Sequence, residues 1–364
     1  LVLQFIRVHE VLGTSVQLEN YFISYYNSHG KRIAKNKEDK LKVLSYSLYG
    51  KHPKYVNGMH FTVEANSINF PGWQVWIYHD EDVPSKILEE LTSSNSTNIV
   101  KTINVKRDLP KWVSETVNPM SWRFFVASDP TVHAYAIRDS DSLSSKREKA
   151  AVDEWLQSGK SFHVMRDHPM HHPGKLAAIL GGMWGGLHSA VPHMDKLLRE
   201  YYNSSRTMKW GEDQDFLWAN ILPLTVNNSL QHDSYYCIES GAIAFPMDRE
   251  KPHEYIGNIM NRMDESGKLR NMGNNLQSVD PRMQTKDMVE RYNRCREFRK
   301  EKQKKGSGFL DTPFIGTTNV SSTEMWVNWV KERQILAIKE KFLKSHPGLK
   351  IVDVKVPDEK AKKS

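Results

Sequence analysis

Apolar and polar positions along the chain group into short runs separated by turn residues. Residues 41–49 (LKVLSYSLY) read as a strand that stops at Gly50, and residues 53–68 read as a helix. Pro71-Gly72 marks a turn, and 73–79 (WQVWIYH) is a second strand. Residues 84–94 (PSKILEELTSS) form a helix with proline near its start, where a missing N–H costs nothing. Residues 99–105 (IVKTINV) give a third strand and 120–128 (MSWRFFVAS) a helix that ends at Asp129-Pro130. Residues 133–138 (HAYAIR) are a fourth strand that runs straight into Asp139, Ser140 and Asp141.

The second half continues the alternation. A helix over 144–158 is capped by Ser144 or Ser145 and closed by Gly159. Residues 162–169 make a short strand that breaks at Pro169, and 177–187 (AAILGGMWGGL) an apolar run interrupted by four glycines. Residues 192–202 and 212–222 read as helices, and 240–246 (SGAIAFP) as a last core strand. Beyond about residue 250 the composition shifts to a basic helix over 286–305, then Gly306-Ser307-Gly308 and a last helix near 323–344 that would dock through Trp326, Trp329 and Ile335. Strands alternating with helices predict an α/β fold whose mostly parallel sheet carries helices on both faces. The expected division is an N-terminal arm over 1–36, a catalytic domain over 37–250 and a mainly helical extension over 251–364. Ligands of such sheets sit beyond the carboxyl ends of the strands, where both Gly50 and Asp139 fall.

Composition changes this picture in three places. With 39% apolar residues and 10 Trp, 14 Tyr and 13 Phe in 364 residues, the chain can build a sizeable core. Aromatic faces also suit the C–H faces of sugars, although plain packing uses the same residues. The net charge of +8 is uneven: residues 251–364 carry 24 Lys and Arg against 15 Asp and Glu, the rest 27 against 28. A nucleic-acid binder would show a basic stripe through its main domain instead, so no nucleic-acid partner is expected. The two cysteines, Cys237 and Cys295, form either one disulfide or two buried thiols, and neither choice fixes the compartment. No run approaches the ~18 apolar residues of a spanning helix. The first residue is leucine, which suggests a processed or truncated chain. Glycosylation patterns at Asn95, Asn203, Asn227 and Asn319 permit a lumenal location in the Golgi or endoplasmic reticulum; a bacterial or viral chain would be cytoplasmic.

Asp-X-Asp occurs three times, so the tripeptide alone says little and its context decides. Asp80/Asp82 leads into a proline and reads as a solvated turn. Asp139/Asp141 ends an apolar strand in the middle of the sheet order. Two carboxylates there can hold Mg²⁺ or Mn²⁺ through oxygen while the cation neutralises a diphosphate, or else they cap the helix beyond them. Glu212, Asp213 and Asp215 (GEDQDFL) open a helix, where the dipole favours acids in any case.

An Asp-X-Asp strand end, a glycine-rich segment and then an acidic helix start resemble the order of parts in glycosyltransferases of the GT-A fold. SWRFFVASDP, IRDSDS, REKAAVDEWL, FHVMRDHP and ILGGMWGG are similar, more narrowly, to a group of bacterial, algal and viral glycosyltransferase-like proteins. The resemblance covers about residues 41–250 and implies a Rossmann-like sheet, a nucleotide-sugar donor, a glycan or glycoconjugate acceptor and Mn²⁺ or Mg²⁺. It implies Asp139 and Asp141 as metal ligands, with His232 as the third and His253 as its fallback. Asp213, then Asp215 or Glu212, would take the acceptor's proton. Ser47, Tyr49, Gly50, Arg123 and Arg138 are assigned to donor or acceptor binding, Arg138 with a plain ion pair as its alternative. Arg166, Asp167 and His168, in RDHPMHH, would meet donor hydroxyls; the histidines there lack the helical spacing of a zinc site. Gly181 and Gly182 permit close approach of backbone to ligand, and Trp184 would stack on the acceptor sugar. The basic helix is either a solvated face or a contact to an anionic membrane surface or polyanionic acceptor. A nucleotidyl or phosphoryl transferase, or an inactive carbohydrate-binding protein of the same fold, are the rival readings.

Overall fold

The structure is a computed structural model, and it describes residues 41–93, 98–174, 177–204, 209–251, 254–258 and 280–304. The arm over 1–36, Asn95, His253, Gly306-Ser307-Gly308, Asn319 and the helix expected near 323–344 lie outside the described residues.

Seven strands form one mostly parallel sheet in the order β3-β2-β1-β4-β6-β5-β7. β1 (Leu41–Leu48) pairs in parallel with β2 (Gln74–His79), and β2 with β3 (Val100–Asn104). The connection from β1 to β2 holds α1 (Pro53–Val56) and α2 (Gly58–Asn69), and that from β2 to β3 holds α3 (Ser85–Ser93). The chain then reverses direction across the sheet. β4 (Val132–Arg138) pairs with β1 on the side away from β2. This reversal makes a switch point between β1 and β4, and the crevice beyond their carboxyl ends is where such sheets bind ligands.

β5 (Phe162–Arg166) and β7 (Ser229–Asp233) run parallel to each other, while β6 (Met183–Leu187) runs against both of its neighbours, β4 and β5. That reversed strand matters for the site. Met183 at the start of β6 lies opposite Arg138 at the end of β4, so Gly181 and Gly182 come out beside Asp139.

Both faces of the sheet are covered, as parallel strands require. Val43, Tyr135 and Ile137 face a cluster with Trp122, Phe124, Phe162, Trp184 and Phe216. Leu44, Tyr46, Ala134 and Ala136 face the opposite one, with Met59, Val63, Trp73 and Trp155. α4 (Lys146–Gln157) comes after β4; Ser145 caps it, its hydroxyl accepting from Glu148 N–H, and Gly159 turns out of it at φ 71°.

Several expectations change. The helix expected over 120–128 is present as a 3₁₀ helix, Pro119–Ser128. Residues 240–246 form no strand, and only Ile243 bridges to His232. Among the described residues the last strand is Ser229–Asp233, SLQHD, wholly buried yet mostly polar, so hydrophobic patterning could not find it. The helix expected over 192–202 is α5 (Met194–Ser204). The one expected over 212–222 is interrupted. It starts as α6 (Glu212–Phe216) and passes into a π-turn, Leu217–Ile221, just before Pro223, which has no N–H to donate. The cysteines are joined: Cys237–Cys295 ties α7 (Lys286–Lys304) to the segment after β7. α7 is also held by Arg299, whose guanidinium donates to Glu154 at 2.7 Å and to the Ala244 carbonyl at 2.7 Å. The basic helix therefore has a docked face, and its remaining residues are largely exposed.

Candidate active site

Arg123 organises the crevice. Ser45 and Ser47, two apart on β1 and so on one face, grip its backbone: Ser45 Oγ donates to Arg123 O at 2.7 Å, and Arg123 N–H donates to Ser47 Oγ at 3.0 Å. Ser47 thus positions Arg123. The guanidinium donates through Nη1 to the Arg138 carbonyl at 2.8 Å and to Asp139 Oδ1 at 2.5 Å, and through Nη2 to Asp213 Oδ2 at 3.3 Å. One side chain thereby links two acidic clusters that are distant in sequence. The side chains of Arg123 and Asp213 are 6% and 5% exposed, whereas that of Asp139 is 44% exposed.

The glycines before β6 are what allow this proximity. A Cβ on Gly181 would collide with the Asp213 carboxylate and lie 3.1 Å from Arg123 Nη2; one on Gly182 would fall on the Asp139 carboxylate. The backbone there lies against both acids. Asp141 sits two residues beyond Asp139, 2.6 Å from Lys54 Nζ on α1, with the Tyr55 ring beneath the ammonium. Tyr49 stands partly exposed beside Trp122, ring centroids 6.1 Å apart, and Gly50 turns at φ 70° with its N–H on Asp80.

Burial raises the pKa of Asp213; Arg123 opposes this, and the nearby Asp139 charge adds to it. Burial alone would lower Arg123, but Asp139 and Asp213 together raise it. Lys54 is likewise raised, its burial outweighed by Asp141. Glu212 is buried and accepts from Asn118 Nδ2 at 3.2 Å, whereas Asp215, on another face of α6, is exposed. Among the described residues, no three His, Cys, Asp or Glu side chains are arranged to hold a metal by themselves.

Other expected site residues lie elsewhere. Trp184 is fully buried, stacked on Phe162 and edge-on to Phe124, so it is a core residue and not an acceptor platform. Arg138 pairs with Glu148 and donates to two carbonyls, which is the ion-pair alternative. Arg166 is spent on Asp233 at 2.7 Å, Gln231 at 2.7 Å and the Ala178 carbonyl. Asp167 is fully buried between Arg147 and Arg249, and burial alone would raise it, yet the two guanidiniums hold it well below the usual carboxylate range. Neither residue is open to a donor hydroxyl. His168 meets Asp280 at 3.2 Å. His232 is buried, with one ring nitrogen 2.9 Å from His163 and the other 2.9 Å from Glu154. It sits on β7, three strands from β4, which at ~4.8 Å per strand is roughly 14 Å from the Asp-X-Asp end. The structure does not bring it to Asp139.

Two residues escaped the sequence reading. Lys54 lies in a four-residue helix with no pattern to mark it. Trp210, 88% exposed immediately before Gly211 and Glu212, carried a signal in its position beside the acidic cluster.

No family model matches the chain, and no curated protein does. Solved structures similar to it include the galactosyltransferase LgtC in complex with donor and acceptor sugar analogs, at 10% identity, covering 53% of this chain and 74% of that one, with a TM-score of 0.39. A glycosyltransferase involved in glycosylation of the major capsid of PBCV-1 is 13% identical over 57% of this chain and 90% of its own, with a TM-score of 0.35. The mannosyltransferase PcManGT from Pyrobaculum calidifontis, in complex with GDP-Man and Mn²⁺, is 8% identical over 48% and 53%, with a TM-score of 0.32. Likeness at this level decides nothing about chemistry, which rests on the residues of the crevice.

Proposed function

We propose that the chain is a glycosyltransferase acting on a nucleotide-sugar donor and a glycan or glycoconjugate acceptor, with its catalytic domain over 37–250. The observation that carries this reading is the single buried guanidinium of Arg123 held between Asp139 and Asp213, at the sheet's switch point, against the bare backbone of Gly181 and Gly182. One carboxylate of the pair is half open to solvent and the other is enclosed.

The donor set at Asp139 and Asp141 consists of hard oxygens, which suit Mn²⁺ or Mg²⁺. Two carboxylates are too few for a closed site, so the donor's diphosphate would complete it, with Lys54 yielding its place on Asp141. The cation would neutralise the departing diphosphate. The protein's own groups do the rest. Tyr49 and Gly50, at the end of β1, border the crevice where the nucleotide would lie. In the transfer, the acceptor oxygen bonds to the anomeric carbon as the bond from that carbon to the diphosphate breaks and its electron pair leaves with the phosphate. The acceptor proton passes to Asp213, whose burial raises its proton affinity toward what a general base needs. Arg123 holds Asp213 and Asp139 at a fixed separation, so base and cation site are set together.

A hydrolysis screen over common nucleotide sugars, with Mn²⁺, Mg²⁺ or chelator, tests this. Release of free nucleoside diphosphate that depends on the cation is expected. Release of nucleoside monophosphate together with sugar 1-phosphate, from cleavage within the diphosphate, would move the chain to nucleotidyl transfer.

A further inference from the structure

A second hollow shares the Asp-X-Asp loop. It is a cavity of about 250 Å³ lined by Asn69, Ser144, Arg249, Glu254, Tyr255 and Asn258, among others. It opens at the start of α4, and so lies at the same carboxyl edge of the sheet as the crevice. The loop between them is pinned from α2: Thr62 Oγ1 donates to Ser140 O at 3.1 Å and Asn69 Nδ2 to Ser144 O at 2.9 Å. The far wall is fixed as well. Ile256 N–H donates to the buried Asp167 at 3.0 Å. Gly257, at φ 83°, packs so closely on Met183 that a Cβ would strike its sulfur, and Met183 is the residue after Gly182. The cavity is thus preformed, with walls anchored to the elements that build the active site.

Its chemistry points to one ligand class. The arginines in the wall do not offer free positive charge: Arg147 and Arg249 both bind Asp167, and Arg249 also donates to Tyr235. Lys146 pairs with Glu250 at 3.2 Å. Glu254 pairs at its outer side with the largely exposed Lys251 at 3.3 Å, and with Asp167 behind the wall holding both arginines, no cation among the described lining residues is left unpaired for an anion. What remains is a mosaic of hydroxyl, amide, carboxylate and guanidinium groups beside a half-buried phenol ring, Tyr255, whose flank rests on His168 with centroids 4.6 Å apart. A sugar ring presents hydroxyls that both donate and accept, together with an apolar face, and matches such a mosaic.

We propose that this cavity is the subsite for an uncharged sugar ring of the acceptor, held across the 139–145 loop from the reacting centre, with Glu254 and Asn258 binding its hydroxyls and Tyr255 covering its apolar face. The proposal rests on the glycosyltransferase reading for the word acceptor, but not for the sugar itself.

Saturation-transfer NMR on the full chain with methyl glycosides of neutral hexoses tests it, alongside calorimetry with a nucleoside diphosphate and Mn²⁺. Glycoside binding is expected in the wild type and about tenfold weaker in Tyr255→Ala and in Glu254→Gln, the loss of one good contact or one charge-assisted hydrogen bond. Nucleotide binding should be unchanged in both. Glu254→Gln is isosteric, so it remains informative if Tyr255→Ala fails to fold. Glycosides that do not bind, or bind both variants as tightly as the wild type, overturn the proposal, as does displacement of the glycoside by inorganic phosphate. If glycosides bind and respond to the variants but the wild type takes no nucleotide, the sugar site stands and the transferase reading falls.

Discussion

Two arginine–carboxylate clusters stand at the carboxyl edge of one sheet. Beyond β4, Arg123 reaches Asp139 and Asp213; beyond β5 and β7, Arg147 and Arg249 close on Asp167 while Arg166 closes on Asp233. In sequence the second is the richer, with Arg166, Asp167 and three histidines within seven residues. In the structure it is sealed: Asp167 accepts from Arg147, Arg249, Ser234 and the Ile256 backbone, with nothing left for a ligand. The first keeps a half-exposed carboxylate over glycine backbone. Residue density does not separate machinery from scaffold. Unspent bonding capacity facing an open crevice does, and substitutions in the two clusters should therefore fail in different ways.

The largest effect is expected at Asp213. Asp213→Asn should cut turnover by ~10²–10⁴, the usual worth of a general base, while donor binding and melting temperature hold. The isosteric amide keeps its place in the first turn of α6. Near-normal turnover would shift the role to Glu212 or Asp215.

Asp167→Asn should do the reverse. It leaves two buried guanidiniums poorly compensated, a loss of about 3–5 kcal/mol, read by urea titration, while the affinity of the folded molecule for a nucleoside diphosphate stays near normal. The pH dependence comes from the sign of the shift. A carboxylate held below its unfolded value of about 3.9 contributes stability above that pH and loses it as pH falls through the depressed folded value. Stability of the wild type should thus persist to lower pH than that of the variant. Equal acid midpoints would put Asp167 outside the scaffold.

How much of this contrast the sequence shows depends on the element. The strands β1 to β4 are legible because their apolar runs are long and bounded by Gly50, Pro71-Gly72 and Asp139. β7 is not, because Gln231, His232 and Asp233 are buried by pairing with Arg166, His163 and Glu154 rather than by apolar character. Asp139, Asp213, Arg123, Gly181 and Gly182 are named by motif, yet nothing local reveals that one guanidinium joins them, since that needs the antiparallel β6. Arg138 and Arg166 read as ligands because a charged residue at a strand end looks the same whether it meets solvent or a buried acid. The boundary at 250 tracks composition, whereas the cavity wall continues to Asn258.

Smaller effects sharpen the comparison. Reducing the Cys237–Cys295 bond should cost about 2–4 kcal/mol of stability and leave the affinity of a nucleoside diphosphate unchanged, because α7 docks away from the Asp139 crevice through Cys295 and Arg299; a drop in that affinity on reduction would tie the basic helix to the chemistry. The smallest effect is in the pH profile. With Asp213 raised by burial, its protonated form persists to higher pH, so the acid limb of kcat should lie above the ordinary carboxylate range; a limb at or below that range would contradict the assignment.

The central claim is that Asp139 and Asp141 hold a divalent cation jointly with the donor's diphosphate. Calorimetric titration of the full chain with a nucleoside diphosphate, in Mn²⁺ and in chelator, for wild type and Asp139→Asn, tests it directly. Tight binding only for the wild type in Mn²⁺ is the expected result. Equal affinity in Mn²⁺ and chelator, or an Asp139→Asn variant that binds as the wild type does, would contradict it.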